Sequence, residues 1–90
     1  MTSGSAWELD ETRLRETLER WSRRCRRTRD KNYVYEFLMD LVEDPFNCGQ
    51  EDPASGIWTG AAGNIVRPIT IVYYPDRAAR RVFVTDINYS

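Results

Sequence analysis

The chain has 90 residues, with 13 basic side chains against 14 acidic ones, two cysteines and no histidine. This length is enough for a single domain, residues 1–90, with one modest core. Because histidine is lacking and Cys25 and Cys48 show no metal-type spacing, we predict no zinc site, no other metal and no cofactor.

Targeting signals and membrane spans are not expected. No apolar run approaches membrane-spanning length, and the first six residues are small and polar, without the apolar region of a signal peptide. We therefore expect a cytoplasmic protein without membrane association. Its two cysteines are expected to be reduced thiols, although a disulfide between them stays open.

The charged residues fall into two blocks. Nine basic residues and three acidic ones lie between Arg13 and Lys31, whereas residues 36–52 hold six acids and no base. This separation tells more about partners than the net charge does. The basic block suits nucleic acid or an acidic partner; alternatively it is a solvated helix face that pairs with the acidic block.

Residues 1–5 are expected to be disordered, and residues 6–9 are either a short strand or the approach to a helix. The first predicted helix is amphipathic and spans residues 10–27. Asp10 is a suitable N-cap. The apolar stripe has helical spacing and consists of Leu14, Leu18, Trp21 and Cys25. Arginines cover the remaining surface, and the candidates for nucleic-acid binding are Arg20, Arg23, Arg24 and Arg27.

A second amphipathic helix is predicted over residues 30–44, with Thr28 as an alternative first residue. Its apolar positions repeat at helical spacing: Val34, Phe37, Leu38, Leu41 and Val42. Pro45 ends it. Since the connection to the first helix is short, the two helices should form an antiparallel hairpin.

Residues 47–63 form a stretch rich in Gly, Pro, Ser and Asp, which predicts a surface loop with at most one short strand. Trp58 lies within it and is flanked by glycines. Because Trp is enriched among interface hot spots, Trp58 is our candidate for binding a protein partner.

The last third predicts a β-hairpin. Residues 69–74 and 81–87 are rich in β-branched and aromatic side chains and flank a turn that begins at Pro75 and Asp76. We expect Tyr73 to face the core and Tyr74 to be exposed. In the second strand, Val82 and Val84 should face opposite to Phe83, Thr85 and Ile87. The fold class is α+β, with the helical hairpin packed on a small, mainly antiparallel sheet over residues 57–89.

Three stretches resemble the RelE/ParE superfamily of bacterial type II toxin–antitoxin systems: Leu41-Val42-Glu43-Asp44-Pro45-Phe46, Ile69-Thr70-Ile71-Val72-Tyr73-Tyr74 and Arg80-Arg81-Val82-Phe83-Val84. The resemblance implies a helical hairpin on a small sheet and a partner antitoxin encoded beside it. It also implies either ribosome-dependent cleavage of mRNA or, in another branch, inhibition of DNA gyrase.

The resemblance also implies site residues. RelE-like cleavage needs no metal, because basic side chains neutralise the scissile phosphate and Tyr or other groups assist proton transfer. The strand positions that could serve are Arg67, Arg80, Arg81, Tyr74 and Tyr89. The chain departs from the family where Pro68 follows Arg67 in place of a basic cluster and where Asp86 precedes the C-terminus.

These features predict a RelE-like toxin that binds RNA and acts on mRNA or translation, with endoribonuclease activity left open. Its expected partners are the cognate antitoxin and the mRNA or ribosome. Two alternatives are a non-catalytic protein-interaction module on the same scaffold and a ParE-like gyrase inhibitor.

Overall fold

The computed structural model describes residues 7–63 and 65–90, so the predicted disorder of residues 1–5 lies outside the described residues. Two helices and a five-stranded sheet confirm the α+β class. The elements in chain order are β1 (Glu8–Leu9), α1 (Glu11–Arg24), α2 (Thr28–Glu43), a 3-10 turn (Pro45–Asn47), β2 (Gln50–Asp52), β3 (Ile57–Ala62), β4 (Ile69–Asp76) and β5 (Arg81–Tyr89).

The helix ends are set by local capping. The Asp10 carboxylate accepts a hydrogen bond from the Arg13 backbone N–H at 2.9 Å, which confirms Asp10 as the N-cap of α1. Helix α1 ends three residues earlier than predicted because Cys25 is already extended. Helix α2 starts two residues early, at Thr28, and ends before Asp44, whose extended backbone precedes Pro45.

The sheet is wider than predicted. Its strand order is β1-β5-β4-β3-β2, with β1 parallel to β5 and all other pairs antiparallel. Strands β1 and β2, which form the two edges, have only two and three residues. Such short strands carry no readable alternation, so the predicted sheet boundary at residue 57 was wrong.

One hydrophobic core lies between the helices and the sheet. Helix α1 packs on β5 and α2 on β3. Trp21 is 2% exposed, which confirms its place in the core, and Tyr73 is fully buried whereas Tyr74 is 43% exposed, as predicted. The other buried members are Val34, Phe37, Leu38, Leu41, Ala62, Ile69, Ile71, Val82, Val84 and Ile87.

A β-bulge in β5 changes which side chains face the core. Val72 pairs with Asp86 and Tyr73 with Val84, so Thr85 is the extra residue of the bulge, and its hydroxyl donates to the Val72 carbonyl at 3.3 Å. Past this extra residue the alternation reverses, and Ile87 is 1% exposed on the same side as Val82 and Val84. The prediction that Ile87 faces with Phe83 and Thr85 was therefore wrong.

Side chains of α1 cover the part of the β5 edge that β1 does not reach. Beyond Val82, which is paired with Leu9, the carbonyl of Val84 accepts from the Thr17 hydroxyl at 2.7 Å. The carbonyl of Thr85 accepts from Arg20 Nη2 at 3.0 Å. These bonds satisfy backbone carbonyls on an otherwise open strand edge and fix α1 beside the middle of β5.

The expected charge pairing between the two helices does not occur. Among the described residues, the ion pairs join Arg24 to Asp86 and Arg81 to Glu8 and Asp10. None of them links an α1 arginine to an α2 carboxylate. The described contacts of the α1 arginines are made with β5 instead, by Arg20 and Arg24.

No helix in the described part of the chain is both long and apolar enough to cross a bilayer. Cys25 and Cys48 are separate, half-buried thiols, which settles the question of a disulfide between them.

The buried Tyr73 hydroxyl generates a test of this packing. It donates to the Pro45 carbonyl at 2.8 Å, and burial, followed by the charges of Cys48 and Asp44, raises the pKa of Tyr73. The folded state therefore keeps this proton at pH values where the unfolded chain loses it. Stability should fall as pH rises above about 10, the ordinary Tyr value.

Urea denaturation of Tyr73→Phe checks this expectation. At neutral pH the variant should lose about 1–2 kcal/mol, because the buried Pro45 carbonyl loses its donor. Its alkaline loss of stability should be smaller than that of the unmodified chain. Tyr74→Phe, at an exposed position, is the matched control and should change neither quantity; equal behaviour of the two variants would contradict the packing described here.

Candidate nucleic-acid interface

The five strand and turn residues predicted for catalysis lie at two opposite ends of the sheet. Arg81 pairs with Asp76 at the β4–β5 turn, together with Arg80 and Tyr74, whereas Tyr89 pairs with Ile69 at the far end. Arg67 precedes Ile69 by two residues and therefore lies at the same end of the sheet as Tyr89. Eight residues of extended strand separate Arg81 from Tyr89, about 26 Å. The five side chains therefore do not form one active site.

The arginines at the β4–β5 turn are occupied by contacts within the chain. The Arg81 guanidinium lies 3.7 Å from the Glu8 carboxylate and 3.6 Å from that of Asp10. Arg80, in the left-handed region at φ 53°, lies 5.4 Å above the Trp7 ring. Two carboxylates beside Arg81 make this end a poor phosphate site.

Tyr89 is the centre of a polar cluster at the opposite end of β5. Its hydroxyl donates to Asp30 Oδ2 at 2.6 Å and accepts from the Arg26 backbone N–H at 2.9 Å. Its ring packs 4.9 Å from Trp21, and the Arg26 guanidinium lies 5.7 Å from the ring centroid. The C-terminal strand is thus tied to both helices by one side chain.

Asp30 is the buried partner in this cluster. It lies in the first turn of α2 and is 6% exposed, and the helix N-terminus favours its negative charge. Burial and then the hydrogen bond to Asp30 raise the pKa of Tyr89. The phenol therefore stays protonated around neutral pH and can act as a hydrogen-bond donor.

Two of the four helix arginines predicted to bind nucleic acid lie against the same part of β5. Arg20 donates to the Thr85 carbonyl, and Arg24 Nη1 lies 3.9 Å from Asp86 Oδ1. Arg23 and Arg27 are exposed at the end of α1 and at the start of α2. We call the surface formed by Arg20, Arg24, Arg26 and Tyr89 the arginine end.

The backbone of Arg67 reaches this same end of the sheet. Pro68 follows Arg67 directly in the chain. Its carbonyl accepts a hydrogen bond from the Ser90 backbone N–H at 3.1 Å. Arg67 is exposed. The fold therefore brings two of the five predicted catalytic residues, Arg67 and Tyr89, to the side of the molecule that carries the helix arginines.

Arg26 and Asp30 were not among the predicted site residues. In the sequence Arg26 is one of many arginines, and Asp30 reads as a residue near the start of a helix. Their importance comes from Tyr89, which lies 63 and 59 residues further along the chain. A contact at this separation leaves no local pattern.

Trp58 belongs to strand β3, within the predicted sheet of residues 57–89, and not to a surface loop. It is half-buried, with its ring 5.4 Å from Phe46 and stacked 6.3 Å from Tyr73. Gly60 lies inside this strand and has no side chain, so the alternation is hard to recognise in the sequence. Phe46 also contacts Trp7 edge to face at 5.3 Å, so the rings form a continuous row.

Both cysteine thiols make hydrogen bonds to backbone carbonyls, Cys25 to Arg27 and Cys48 to Asp44. Burial, and then the charges of Asp40, Asp44 and Glu43, raise the pKa of the Cys48 thiol. The Cys25 thiol donates to the Arg27 carbonyl at 3.2 Å. Within residues 7–63 and 65–90, no group of three or more His, Cys, Asp or Glu side chains is placed to hold a metal.

Comparison with known proteins assigns no family. The chain matches no family model, no curated protein and no solved structure.

The Tyr89–Asp30 bond can be tested by Tyr89→Phe. The variant keeps the ring but leaves the buried Asp30 carboxylate without its donor, so the free energy of unfolding should fall by about 1–3 kcal/mol. Tyr35→Phe, on the exposed surface of α2, is the control and should be neutral. A Tyr89→Phe variant as stable as the unmodified chain would show that this bond does not hold β5 to α2.

Proposed function

We propose that this protein is a RelE/ParE-like toxin that binds RNA through the arginine end and acts on mRNA or translation. The observation that supports this most strongly is the meeting of Arg20, Arg24 and Arg26 with Tyr89 at the end of β5. These residues come from distant parts of the chain. Asp86 offsets part of the charge of Arg24, and Arg20 and Arg26 have no described carboxylate partner. The surface is therefore basic and partly aromatic, which is the usual composition of single-strand RNA sites.

The arginines at this end can bind phosphate without being released from the protein. Arg20 uses one guanidinium nitrogen on the Thr85 carbonyl, and the remaining N–H groups of its fork stay available for a phosphate oxygen. Arg26 is held by the Tyr89 ring beneath it. Arginines that are already oriented lose less side-chain entropy on binding than mobile ones do.

A cleavage step at this end would use charge neutralisation and a proton relay. Attack of a ribose 2′-oxygen on the adjacent phosphorus forms a cyclic phosphate and breaks the bond to the 5′-oxygen, which takes a proton from solvent water as it leaves. Arg26 and Arg67 would neutralise the charge that develops on the phosphate oxygens. The 2′-hydroxyl proton would pass to Tyr89 as the Tyr89 proton moves to Asp30, the carboxylate already bonded to it.

The sheet surface opposite the helices would serve the antitoxin. Ile57 is 41% exposed and Tyr74 is 43% exposed on neighbouring strands of this surface. A partner that covers apolar side chains here would also limit access of RNA to the sheet. This part of the proposal supposes an antitoxin encoded by the neighbouring gene.

A second candidate function is a non-catalytic protein-interaction module. It is favoured by the separation of the predicted catalytic residues and by the pairing of Arg81 with Glu8 and Asp10. In this case the exposed sheet surface, and not the arginine end, would be the functional one. A gyrase inhibitor remains a third outcome that the following experiment identifies.

Induced expression in bacteria tests the proposed function. We expect growth arrest with discrete cuts in translated mRNA, relieved in the double variant Arg20→Ala, Arg26→Ala. The loss of two phosphate contacts should lower RNA affinity and reduce the slope of log affinity against log salt by about 1.4 for a single strand. Tyr89→Phe should abolish the cuts and retain RNA binding.

The matched control removes two arginines from the other end of the same helix, Arg13→Ala and Arg15→Ala, and should still arrest growth. Harmless expression with a co-purifying protein would favour the interaction module. Growth arrest with DNA damage and intact mRNA would favour gyrase inhibition. Either result would overturn the RNA-directed proposal.

A further inference from the structure

A second polar and aromatic site lies at the end of the sheet opposite the arginine end. It is a cleft of about 340 Å³ between the β2–β3 hairpin and the β4–β5 turn. Its walls carry three aromatic rings, two carboxylates and one guanidinium. The side chains that carry these groups are those of Phe46, Glu51, Trp58, Tyr74, Asp76 and Arg77.

Arg77 forms a flat platform in this cleft. Its guanidinium lies 4.1 Å from the centroid of the Phe46 ring. Phe46 is itself held between Trp7 and Trp58, whose rings contact it edge to face. Guanidinium planes and aromatic rings are the surfaces on which unpaired bases stack in RNA complexes.

The turn that carries Arg77 is held in one conformation. Asp76 Oδ1 accepts hydrogen bonds from the backbone N–H groups of Ala78 at 3.1 Å and Ala79 at 3.3 Å. This bonding restrains the backbone on both sides of Arg77. The platform is therefore formed before any ligand arrives, which lowers the entropic cost of binding.

Glu51 supplies an acceptor beside the platform. It lies on edge strand β2 opposite Trp58, is exposed, and makes no ion pair or side-chain hydrogen bond with another described residue. A carboxylate accepts two parallel N–H donors. Glu51 and Asp76 also disfavour a bare phosphate in this cleft, and Arg77 already occupies the place that a cationic ligand would take.

We propose that this cleft binds an unpaired nucleobase, guanine in preference to the others. The base stacks on the Arg77 guanidinium beside Tyr74, and its N1–H and N2–H groups donate to Glu51. Guanine fits best because it alone presents two adjacent N–H donors on its Watson–Crick edge. The site deepens the proposed function, since it adds base recognition to phosphate binding at the arginine end.

Titration of the purified chain with mononucleotides tests this site, with Trp fluorescence and amide chemical shifts as the readouts. GMP should bind more tightly than IMP, which lacks the 2-amino group, and more tightly than UMP. Arg77→Ala should weaken GMP binding by about tenfold or more, as loss of a stacking surface does. Glu51→Gln should remove the preference for GMP over IMP.

Arg15→Ala is the control, because it removes an exposed positive charge of α1 that does not line the cleft, and it should leave GMP affinity unchanged. Equal binding of GMP and UMP, or GMP binding that survives both Arg77→Ala and Glu51→Gln, would overturn the proposal. Binding of N-acetylarginine amide in place of GMP would also overturn it and would identify a cation site.

The test is independent of toxicity. GMP binding by a chain that does not arrest growth would leave this inference standing and refute the toxin proposal. Growth arrest without GMP binding would do the reverse.

Discussion

The exposed edge of β5 is the constraint on which the rest of the structure depends. Strand β1 covers only the first two positions of β5, and the carbonyls that follow would be unsatisfied without another donor. Thr17 and Arg20 of α1 provide the donors. The helix that completes the sheet edge is also the most basic element of the chain, so protecting the edge places positive charge along β5. The same requirement thus accounts for the position of α1 and for the location of the arginine end.

Tyr89 completes this arrangement from the other side. Its hydroxyl joins the last strand to the start of α2 through Asp30 and to the connection between α1 and α2 through the Arg26 backbone. A buried carboxylate without such a donor would be costly, so the bond stabilises the fold whatever the protein binds. Tyr89 and Asp30 are also the two residues at the arginine end that could transfer a proton. Stability and chemistry therefore depend on one contact, whereas the guanine cleft at the opposite end of β5 depends on Phe46 and Arg77.

The sequence was sufficient for the features that depend on local periodicity. The apolar stripe of α1, its Asp10 cap, the two long strands and the opposite facing of Tyr73 and Tyr74 all follow from spacing alone. Features that depend on a partner far along the chain were not predictable. The bulge at Thr85 turns Ile87 inward, the short strands β1 and β2 exist only through pairing, and Asp30 matters only because Tyr89 reaches it. The candidate catalytic residues were chosen by residue type. Strand register, which the sequence does not show, places them at two opposite ends of the sheet.

We propose that RNA phosphates bind where α1 meets the end of β5. Titration of the isotope-labelled chain with oligouridine, which lacks guanine, tests it most directly by chemical-shift mapping at low salt. The claim predicts the largest shifts at the Arg20, Arg24 and Arg26 side chains and at the Tyr89 amide, and these shifts should diminish as salt is added. Shifts confined to the exposed sheet surface or to the β4–β5 turn, or no shifts at low salt, would contradict it.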